Sequence, residues 1–371
     1  MRFRSVNLRR SVFLLILAAC HPPRVAPPLP PGEWTSTLGG PARAAYAHER
    51  LAAQPREDWR KSVDRGLATA LQVHGSVILA TTTGRAVVAL DAETGMQYWS
   101  RRFSGPIAGT ALRRNDIVYV VTGDRENRVH AIQVRRGRGL WSKRVGTTRV
   151  EPLLLDSLLV LAQEDGEVAA ILASNGTPVW RSTLGAPPAV APVAAAGQLF
   201  VATTRDTLSR MDPATGQVTA RLALPSTASG PALVAGSHIL LPLHSAQVIA
   251  IRVDGEPRID WRADVGAVVL APIAAVEGAF FTLNRDADIH RMDGSGAVSR
   301  IAQLGGAASG SFVAVGPHLV AGRLDGSLSC VDTAGQTVWE QKLGDSVIAP
   351  VAASQGVLYV PLLRGHVVRL R

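Results

Sequence analysis

A short pattern of apolar positions recurs along the chain about every forty residues. In each copy, a four-residue segment is apolar in its first and fourth positions, and the eight segments begin at positions 87, 129, 168, 208, 248, 289, 328 and 367. In a β-strand, the first and fourth side chains lie on opposite faces of the sheet. Apolar residues in both columns therefore predict strands that are buried on both sides.

Each repeat has room for four short strands. A second apolar run precedes the segment, a further short run precedes both, and a glycine follows the segment in seven of the eight copies. Glycine suits the tight turn of a hairpin because it tolerates positive φ. Four short strands in about forty residues are typical of one propeller blade. The sequence therefore predicts an all-β protein, an eight-bladed β-propeller with four antiparallel strands per blade.

The two ends of the repeat array complete each other. The eighth copy ends at Arg371 with no room for an outer strand, whereas the segment around Trp59 resembles an outer strand that has no blade. Trp59 also lies 40 residues before Trp99, in step with the repeat. We therefore expect an N-terminal strand to close the ring, which leaves no open sheet edge between the first and last blades.

The segment from Ala89 to Trp99 has the pattern Ala-x-Asp-x-x-x-Gly-x-x-x-Trp. This pattern is similar to the repeat of quinoprotein-type (PQQ-like) propellers, and the resemblance implies that each tryptophan docks between neighbouring blades. The tryptophan is replaced by Ala220 in the fourth copy and by Arg300 in the sixth. The structural blade-docking residues implied in this way are Trp59, Trp99, Trp141, Trp180, Trp261 and Trp339.

The N-terminal region divides into a signal and a tether. Residues 1–19 combine a basic start with an apolar run that is too short to span a bilayer, as in a lipoprotein signal peptide. The residues up to Cys20 resemble the lipobox of bacterial lipoproteins, which implies lipid attachment at Cys20; an ordinary secretory signal is the alternative. Residues 20–57 form a Pro-rich tether with a short helix or a disordered stretch, and residues 58–371 form the propeller.

Positive charge is concentrated in one part of the chain. The formal net charge is +10, and residues 101 to 150 hold twelve Lys and Arg against three acidic residues. This excess predicts a basic patch that binds an acidic partner or anionic lipid head groups, with a solvated rim as the alternative. Nucleic acid is not expected as a partner, because export separates it from the chain. The candidate patch residues are Arg113, Arg114, Arg135, Arg136, Arg138 and Arg149.

The sequence does not predict an enzyme. The resemblance to quinoproteins includes PQQ-dependent dehydrogenases, which use an acidic calcium site and typically a pair of adjacent cysteines against the cofactor. This chain has only Cys20 and Cys330, which are not adjacent. His130 and His290 share a column of the repeat but belong to different blades, which favours structural packing over metal binding. We therefore expect no cofactor, no metal site and no catalytic residue.

An exported lipoprotein whose body is one eight-bladed propeller of this repeat type resembles the BamB family of outer-membrane lipoproteins. The resemblance implies a scaffold with its body in the periplasm. Its expected partners are the barrel-forming subunit of the outer-membrane β-barrel protein assembly machinery and unfolded outer-membrane proteins. Two alternatives stay open: a lipid-anchored propeller that serves a different envelope complex, and a PQQ-dependent dehydrogenase-like enzyme.

Overall fold

The computed structural model describes residues 46–47, 51, 54–124 and 126–371. The signal peptide, Cys20 and most of the tether predicted from the sequence lie outside the described residues. The described chain begins with two strands that belong to the last two blades, β1 (Tyr46–Ala47) and β2 (Glu57–Ser62). Among the described residues, no helix has the length and apolar character needed to cross a membrane.

Eight blades of four antiparallel strands form the ring, and β1 adds a fifth, parallel strand to the sheet of blade 7. The predicted fold class is therefore confirmed. The strands of blades 1 to 4 are β3 (Gln72–His74), β4 (Val77–Thr82), β5 (Ala86–Asp91), β6 (Gln97–Arg102); β7 (Leu112–Arg114), β8 (Ile117–Thr122), β9 (Arg128–Gln133), β10 (Gly139–Arg144); β11 (Leu153–Leu155), β12 (Leu158–Ala162), β13 (Glu167–Leu172), β14 (Pro178–Thr183); β15 (Val193–Ala195), β16 (Gln198–Thr203), β17 (Thr207–Met211) and β18 (Val218–Ala223).

Blades 5 to 8 repeat the same arrangement, and β2 supplies the fourth strand of blade 8. Their strands are β19 (Leu233–Ala235), β20 (His238–Pro242), β21 (Gln247–Arg252), β22 (Arg258–Asp264); β23 (Ala274–Val276), β24 (Ala279–Leu283), β25 (Asp288–Met292), β26 (Val298–Gln303); β27 (Ala308–Val315), β28 (His318–Arg323), β29 (Ser327–Asp332), β30 (Thr337–Lys342); β31 (Ala352–Ser354), β32 (Val357–Leu362) and β33 (His366–Leu370).

The first strand of each blade lies at the axis and the fourth lies at the rim, since the short first strands of neighbouring blades contact one another. Antiparallel order places the turns between the first and second strands, and between the third and fourth, at one end of every blade. We call this end the Asp-turn face. The turns between the second and third strands and the connections between blades lie at the other end, which we call the linker face.

The hydrophobic core lies between the blades. In β5, Val87 and Ala89 pack with blade 2, whereas Val88 and Leu90 pack with blade 8. The four side chains are at most 1% exposed. This alternation confirms that the repeated strand is buried on both sides. The outer strands are largely exposed, as in β10.

The ring closes through β2, which pairs antiparallel with β33 so that Trp59 lies opposite Arg369. The backbone N–H groups of Arg56 and Arg371 each donate to the carbonyl oxygen of the other, at 2.7 and 2.9 Å. The predicted completion of the last blade by an N-terminal strand is therefore confirmed. Since both ends of the repeat array meet in one sheet, blade 8 cannot form without the segment that precedes blade 1.

One part of the tether differs from the prediction. Tyr46 and Ala47 are neither helical nor irregular, but form β1, which pairs in parallel with the innermost strand of blade 7. The N–H of Gly316 donates to the carbonyl oxygen of Ala47 at 2.7 Å, and Ala47 is 7% exposed. β1 also contacts β23, the first strand of blade 6. The chain therefore enters the described structure along the axis of the ring.

Candidate partner-binding surface

The repeated tryptophan packs onto the turn glycine of the next blade. In blade 1, the pairing of the outer strand β6 with β5 shifts register just before the tryptophan. Trp99 therefore lies opposite Ala89. A Cβ atom added to Gly137 would lie 2.7 Å from the Trp99 ring. The indole N–H of Trp99 donates to the carbonyl oxygen of Val134 at 2.6 Å. The contacting pairs are Trp59 with Gly95, Trp99 with Gly137, Trp141 with Gly176, Trp180 with Gly216, and Trp261 with Gly296.

Trp339 has a different neighbour, because blade 8 has no hairpin turn between β33 and β2. It is buried and lines a cavity of about 300 Å³ together with residues 54–57, which lead into β2. Trp339 therefore lies against the closure of the ring, in the place where the other blades present a turn glycine.

The two blades without tryptophan are joined differently. A Cβ added to Gly255 would meet nothing within 4 Å, so no ring docks on this glycine. Instead, Arg210 of blade 4 donates to the carbonyl oxygen of Gly255 at 2.6 Å. Between blades 6 and 7, the guanidinium of Arg323 donates to the carbonyl oxygens of Leu304 and Gly305 at 2.5 and 3.0 Å. It also donates to Glu340 at 2.5 Å. A buried arginine thus ties these blades together in place of an indole ring.

The six predicted basic residues do not form one surface. Arg135, Arg136 and Arg138 lie in the turn between β9 and β10 on the Asp-turn face, and Arg114 lies at the end of β7 on the same face. Arg113 is 4% exposed, so it is part of the interior.

Arg149 belongs to the opposite, linker face, in the connection between blades 2 and 3. It forms ion pairs with Asp124 and Glu164 there. The candidate patch is therefore corrected to the turn residues, of which Arg136 and Arg138 are exposed.

The turn of blade 2 lacks the aspartate that caps four of the equivalent turns. In four other blades an aspartate caps the turn; in blade 4 it is Asp212, whose Oδ1 accepts the N–H groups of Ala214 and Thr215. Hydrogen bonds from Thr215 and Ala214 hold the pKa of Asp212 below its usual value, so the carboxylate is ionised at neutral pH. Blade 2 has Gln133 there, which donates to Asp116 at 3.0 Å, and the turn carries three arginines.

A groove of about 420 Å³ lies at the other end of the same outer strand, between the linker end of β10 and the outer half of blade 3. Its walls include Lys143 and Arg144 from β10 and Arg181 from β14, and its floor includes Val145 and Ala169.

Two small residues explain the groove. At several interfaces, the side chain four positions after the tryptophan, or after the residue that replaces it, packs with the second residue of the repeat segment in the next blade. Between blades 1 and 2 these residues are Phe103 and His130, whose ring centroids lie 4.9 Å apart. Between blades 2 and 3 they are Val145 and Ala169, which leave the space open. Leu224 with Ile249, and Leu343 with Val368, share clusters at other interfaces.

The two histidines of the repeat pack between blades. His130 is 7% exposed, and its Nε2 lies 3.2 Å from Glu126 Oε1. His290 is in another blade and is 8% exposed. Burial lowers the pKa of both rings, so both are neutral at pH 7. In the described part of the chain, no group of three or more His, Cys, Asp or Glu side chains could hold a metal ion.

Sequence reasoning found the charge of blade 2 but missed the groove. The signal is present in the repeat: aligned copies show that position 169 is alanine where blades 1, 5 and 8 have Val88, Ile249 and Val368. To predict the groove, one must know which position of the repeat segment faces the preceding blade. The apolar pattern alone does not indicate this.

Comparison with known proteins gives one family. A family model described as "Outer membrane protein assembly factor BamB" matches residues 49–191 and 164–276, which together are well over half of the 371 residues. A search of curated proteins gives no match.

Solved structures share the fold at low sequence identity. BamB from Moraxella catarrhalis is 14% identical, with a TM-score of 0.72 over 85% of this chain and 99% of that chain. Quinohemoprotein alcohol dehydrogenase from Comamonas testosteroni is 13% identical, with a TM-score of 0.76 over 91% of this chain and 80% of that chain. The computationally designed Ika8 protein is 12% identical, with a TM-score of 0.73 over 83% and 97%.

Proposed function

The chain belongs to the BamB family of outer membrane protein assembly factors, and we propose from this that it is a non-catalytic scaffold that binds protein partners in the bacterial cell envelope. The observation that carries this proposal is the family match, which extends over well over half of the chain. The complete ring of eight blades supports it, because such a ring offers a large rigid surface on which loops and edge strands can bind other proteins.

The specific form of the proposal is an outer-membrane lipoprotein. The lipid on Cys20 anchors the chain, and the propeller lies in the periplasm. Its partners are the barrel-forming subunit of the outer-membrane β-barrel protein assembly machinery and the unfolded precursors of outer-membrane proteins. The composition of the first twenty residues supports the anchor.

The rim of the propeller provides a physical route for such binding. The fourth strand of each blade is an edge strand, and an edge presents unpaired N–H and C=O groups to an extended segment of another chain. Several of these strands also expose a large apolar side chain: Leu140 is 49% exposed, Val179 is 45% and Val338 is 40%. Extended apolar segments of an unfolded precursor could pair with these strands.

The enzyme alternative takes its support from the structural likeness to quinohemoprotein alcohol dehydrogenase. The described residues do not fit a calcium-bound quinone, since they contain no group of acidic side chains that could hold a metal. Cys330 is fully buried, and burial raises the pKa of its thiol to about 12. We therefore propose that the chain is not a dehydrogenase. Addition of pyrroloquinoline quinone and calcium should give no dye reduction with an alcohol substrate, and dye reduction would contradict this proposal.

In-cell cross-linking followed by affinity purification and mass spectrometry tests the scaffold proposal. We expect subunits of the barrel assembly machinery among the cross-linked partners. Recovery of other envelope proteins without any of these subunits would favour the alternative, a propeller that serves a different envelope complex.

Membrane fractionation tests the anchor. The Cys20→Ala variant should move to the soluble periplasmic fraction, whereas Cys330→Ala should stay with the membranes, because Cys330 is buried in blade 7. Persistent membrane association of the Cys20→Ala variant would contradict the lipid anchor.

A further inference from the structure

We propose that the groove between blades 2 and 3 binds an acidic, extended segment of a protein partner. One apolar side chain of that segment would rest on the floor formed by Val145 and Ala169. Its carboxylates would face Lys143, Arg144 and Arg181 at the walls. The inference deepens the proposed function and rests on it for the existence of a protein partner.

The floor of the groove is apolar and preformed. Val145 and Ala169 line it from facing blades, and Ile171 also contributes to the lining. Ala169 and Ile171 are 6% and 4% exposed, so packing holds their positions. An apolar side chain that enters the groove would therefore gain burial without rearrangement of the blades.

Two of the three cations at the walls have no acidic partner among the described residues. Lys143 and Arg144 are exposed, and neither forms an ion pair with another described residue. Arg181 reaches Glu167 only at 3.6 Å, with 65% of its side chain exposed.

The two acidic residues of the groove have hydrogen-bond partners within blade 3. Glu167 accepts a hydrogen bond from Gln163 at 3.1 Å, and Asp165 accepts the backbone N–H of Glu167 at 3.0 Å. Lys143 and Arg144 lie at the same, linker end of the groove, but neither forms an ion pair with Asp165 or Glu167. Both cations of β10 are therefore available to a ligand.

The positive charge continues beyond the groove along the same strand. Arg136 and Arg138 precede β10 and are exposed on the Asp-turn face. The N–H groups and carbonyl oxygens on the open side of β10 follow the same line, because β10 is the last strand of its sheet. Cations in a row beside an open strand edge complement an extended chain with several carboxylates. A compact anion would use only one end of this row.

Fluorescence anisotropy with full-length protein in nonionic detergent tests the inference. The probe is a fluorescein-labelled peptide in which Asp and Phe alternate over eight residues. Two comparison peptides replace either every Asp by Lys or every Phe by Ser. We expect the Asp/Phe peptide to bind, its affinity to fall with added salt, and both comparison peptides to bind at least about tenfold more weakly.

The repeat supplies a matched control for the charge. Lys61 occupies the same position in blade 8 as Lys143 in blade 2, two residues after the tryptophan, and it is also exposed. The double variant Lys143→Glu, Arg144→Glu should weaken peptide binding about tenfold or more, whereas Lys61→Glu should change it less than about twofold. Equal effects of the two charge reversals would overturn the assignment to the groove.

A second variant tests the floor independently of charge. Ala169→Leu places a larger apolar side chain in the open space opposite Val145, so it should abolish peptide binding while the far-ultraviolet circular dichroism and the unfolding midpoint are maintained or raised. Undiminished peptide binding by this variant would contradict the inference. Binding to anionic phospholipid vesicles that depends on Lys143 and Arg144, with no peptide binding, would assign the surface to lipid and overturn it as well.

These outcomes are separable from the proposed function. If the protein does not bind the Asp/Phe peptide but still cross-links to the assembly machinery, the groove assignment alone is overturned. Peptide binding without such cross-links would overturn the assignment to the machinery and leave the groove as a peptide site.

Discussion

Substitution of one turn glycine by alanine should reveal how strongly tryptophan docking holds the blades together. Gly216 and Gly255 occupy equivalent turns in successive blades, but Trp180 docks on the first, whereas no side chain packs on the Cα of the second. We expect Gly216→Ala to destabilise the protein strongly and Gly255→Ala to have almost no effect or to stabilise it. The same chemical change is therefore made in two copies of one structural unit.

The magnitude follows from the geometry of the two turns. At Gly216, φ is +73°, and an L-residue in this region costs about 1–2 kcal/mol. A Cβ there would lie 2.3 Å from the Trp180 ring, and overpacking of this kind costs about 1–3 kcal/mol. The sum is about 2–5 kcal/mol of unfolding free energy. At Gly255, φ is not positive and no atom lies within 4 Å, so a gain of up to about 1 kcal/mol is expected.

Urea unfolding followed by circular dichroism measures both variants. A double-mutant cycle then separates the two terms: in a Trp180→Ala background, the steric term disappears and Gly216→Ala should cost only about 1–2 kcal/mol. Equal effects of Gly216→Ala and Gly255→Ala, or an unchanged effect without Trp180, would refute the docking account.

Three further predictions concern buried polar groups. Arg323→Met should lower the free energy of unfolding by about 2–4 kcal/mol in urea titrations, because two carbonyl oxygens and Glu340 lose their donor, whereas the exposed Arg181→Ala should change it by less than about 0.5 kcal/mol. Burial and the neighbouring Arg113 lower the pKa of His74 to about 3, so the unfolded state binds its proton first on acidification. Stability should therefore fall between about pH 6.5 and pH 3, by up to about 1.4 kcal/mol per pH unit from this residue, and His74→Leu should reduce that slope. Cys330 is fully buried with a pKa of about 12, so iodoacetamide should modify it only as fast as the protein unfolds; rapid labelling in buffer would show that blade 7 opens locally.

The sequence specifies the fold well because the same physical requirement is repeated eight times. Burial of a strand between two neighbouring blades requires apolar residues in both columns, and the segment around Trp59 has the pattern of the outer strand that pairs with the last copy. The parallel pairing of Tyr46 and Ala47 with β27 could not be found in this way. It involves two residues and depends on the space at the axis, which no local pattern encodes.

The candidate surface was predicted less completely, because the position of a charged residue in the sequence does not indicate which face of the propeller it occupies. Arg113 and Arg149 belong to the same basic stretch as Arg136, yet one is buried and the other lies on the linker face. Arg113 donates to the carbonyl oxygen of Asn115 at 2.6 Å, a contact set by the turn after β7. Assignment of each arginine to a face requires the strand order, which becomes available only with the full blade.

Blade 2 departs from the repeat at both ends of its outer strand, β10. The turn aspartate is replaced by Gln133, arginines follow it, and Val145 faces Ala169 across an open space. Each change removes an interaction that other blades use for stability, namely a turn cap or a packed pair of side chains. Elsewhere such departures are isolated and sometimes compensated, as at Arg300, where Arg323 joins the blades instead. At blade 2 the removed interactions leave a groove with cations at its walls, and a ligand with carboxylates and one apolar side chain would restore both the packing and the charge balance that the repeat lacks there.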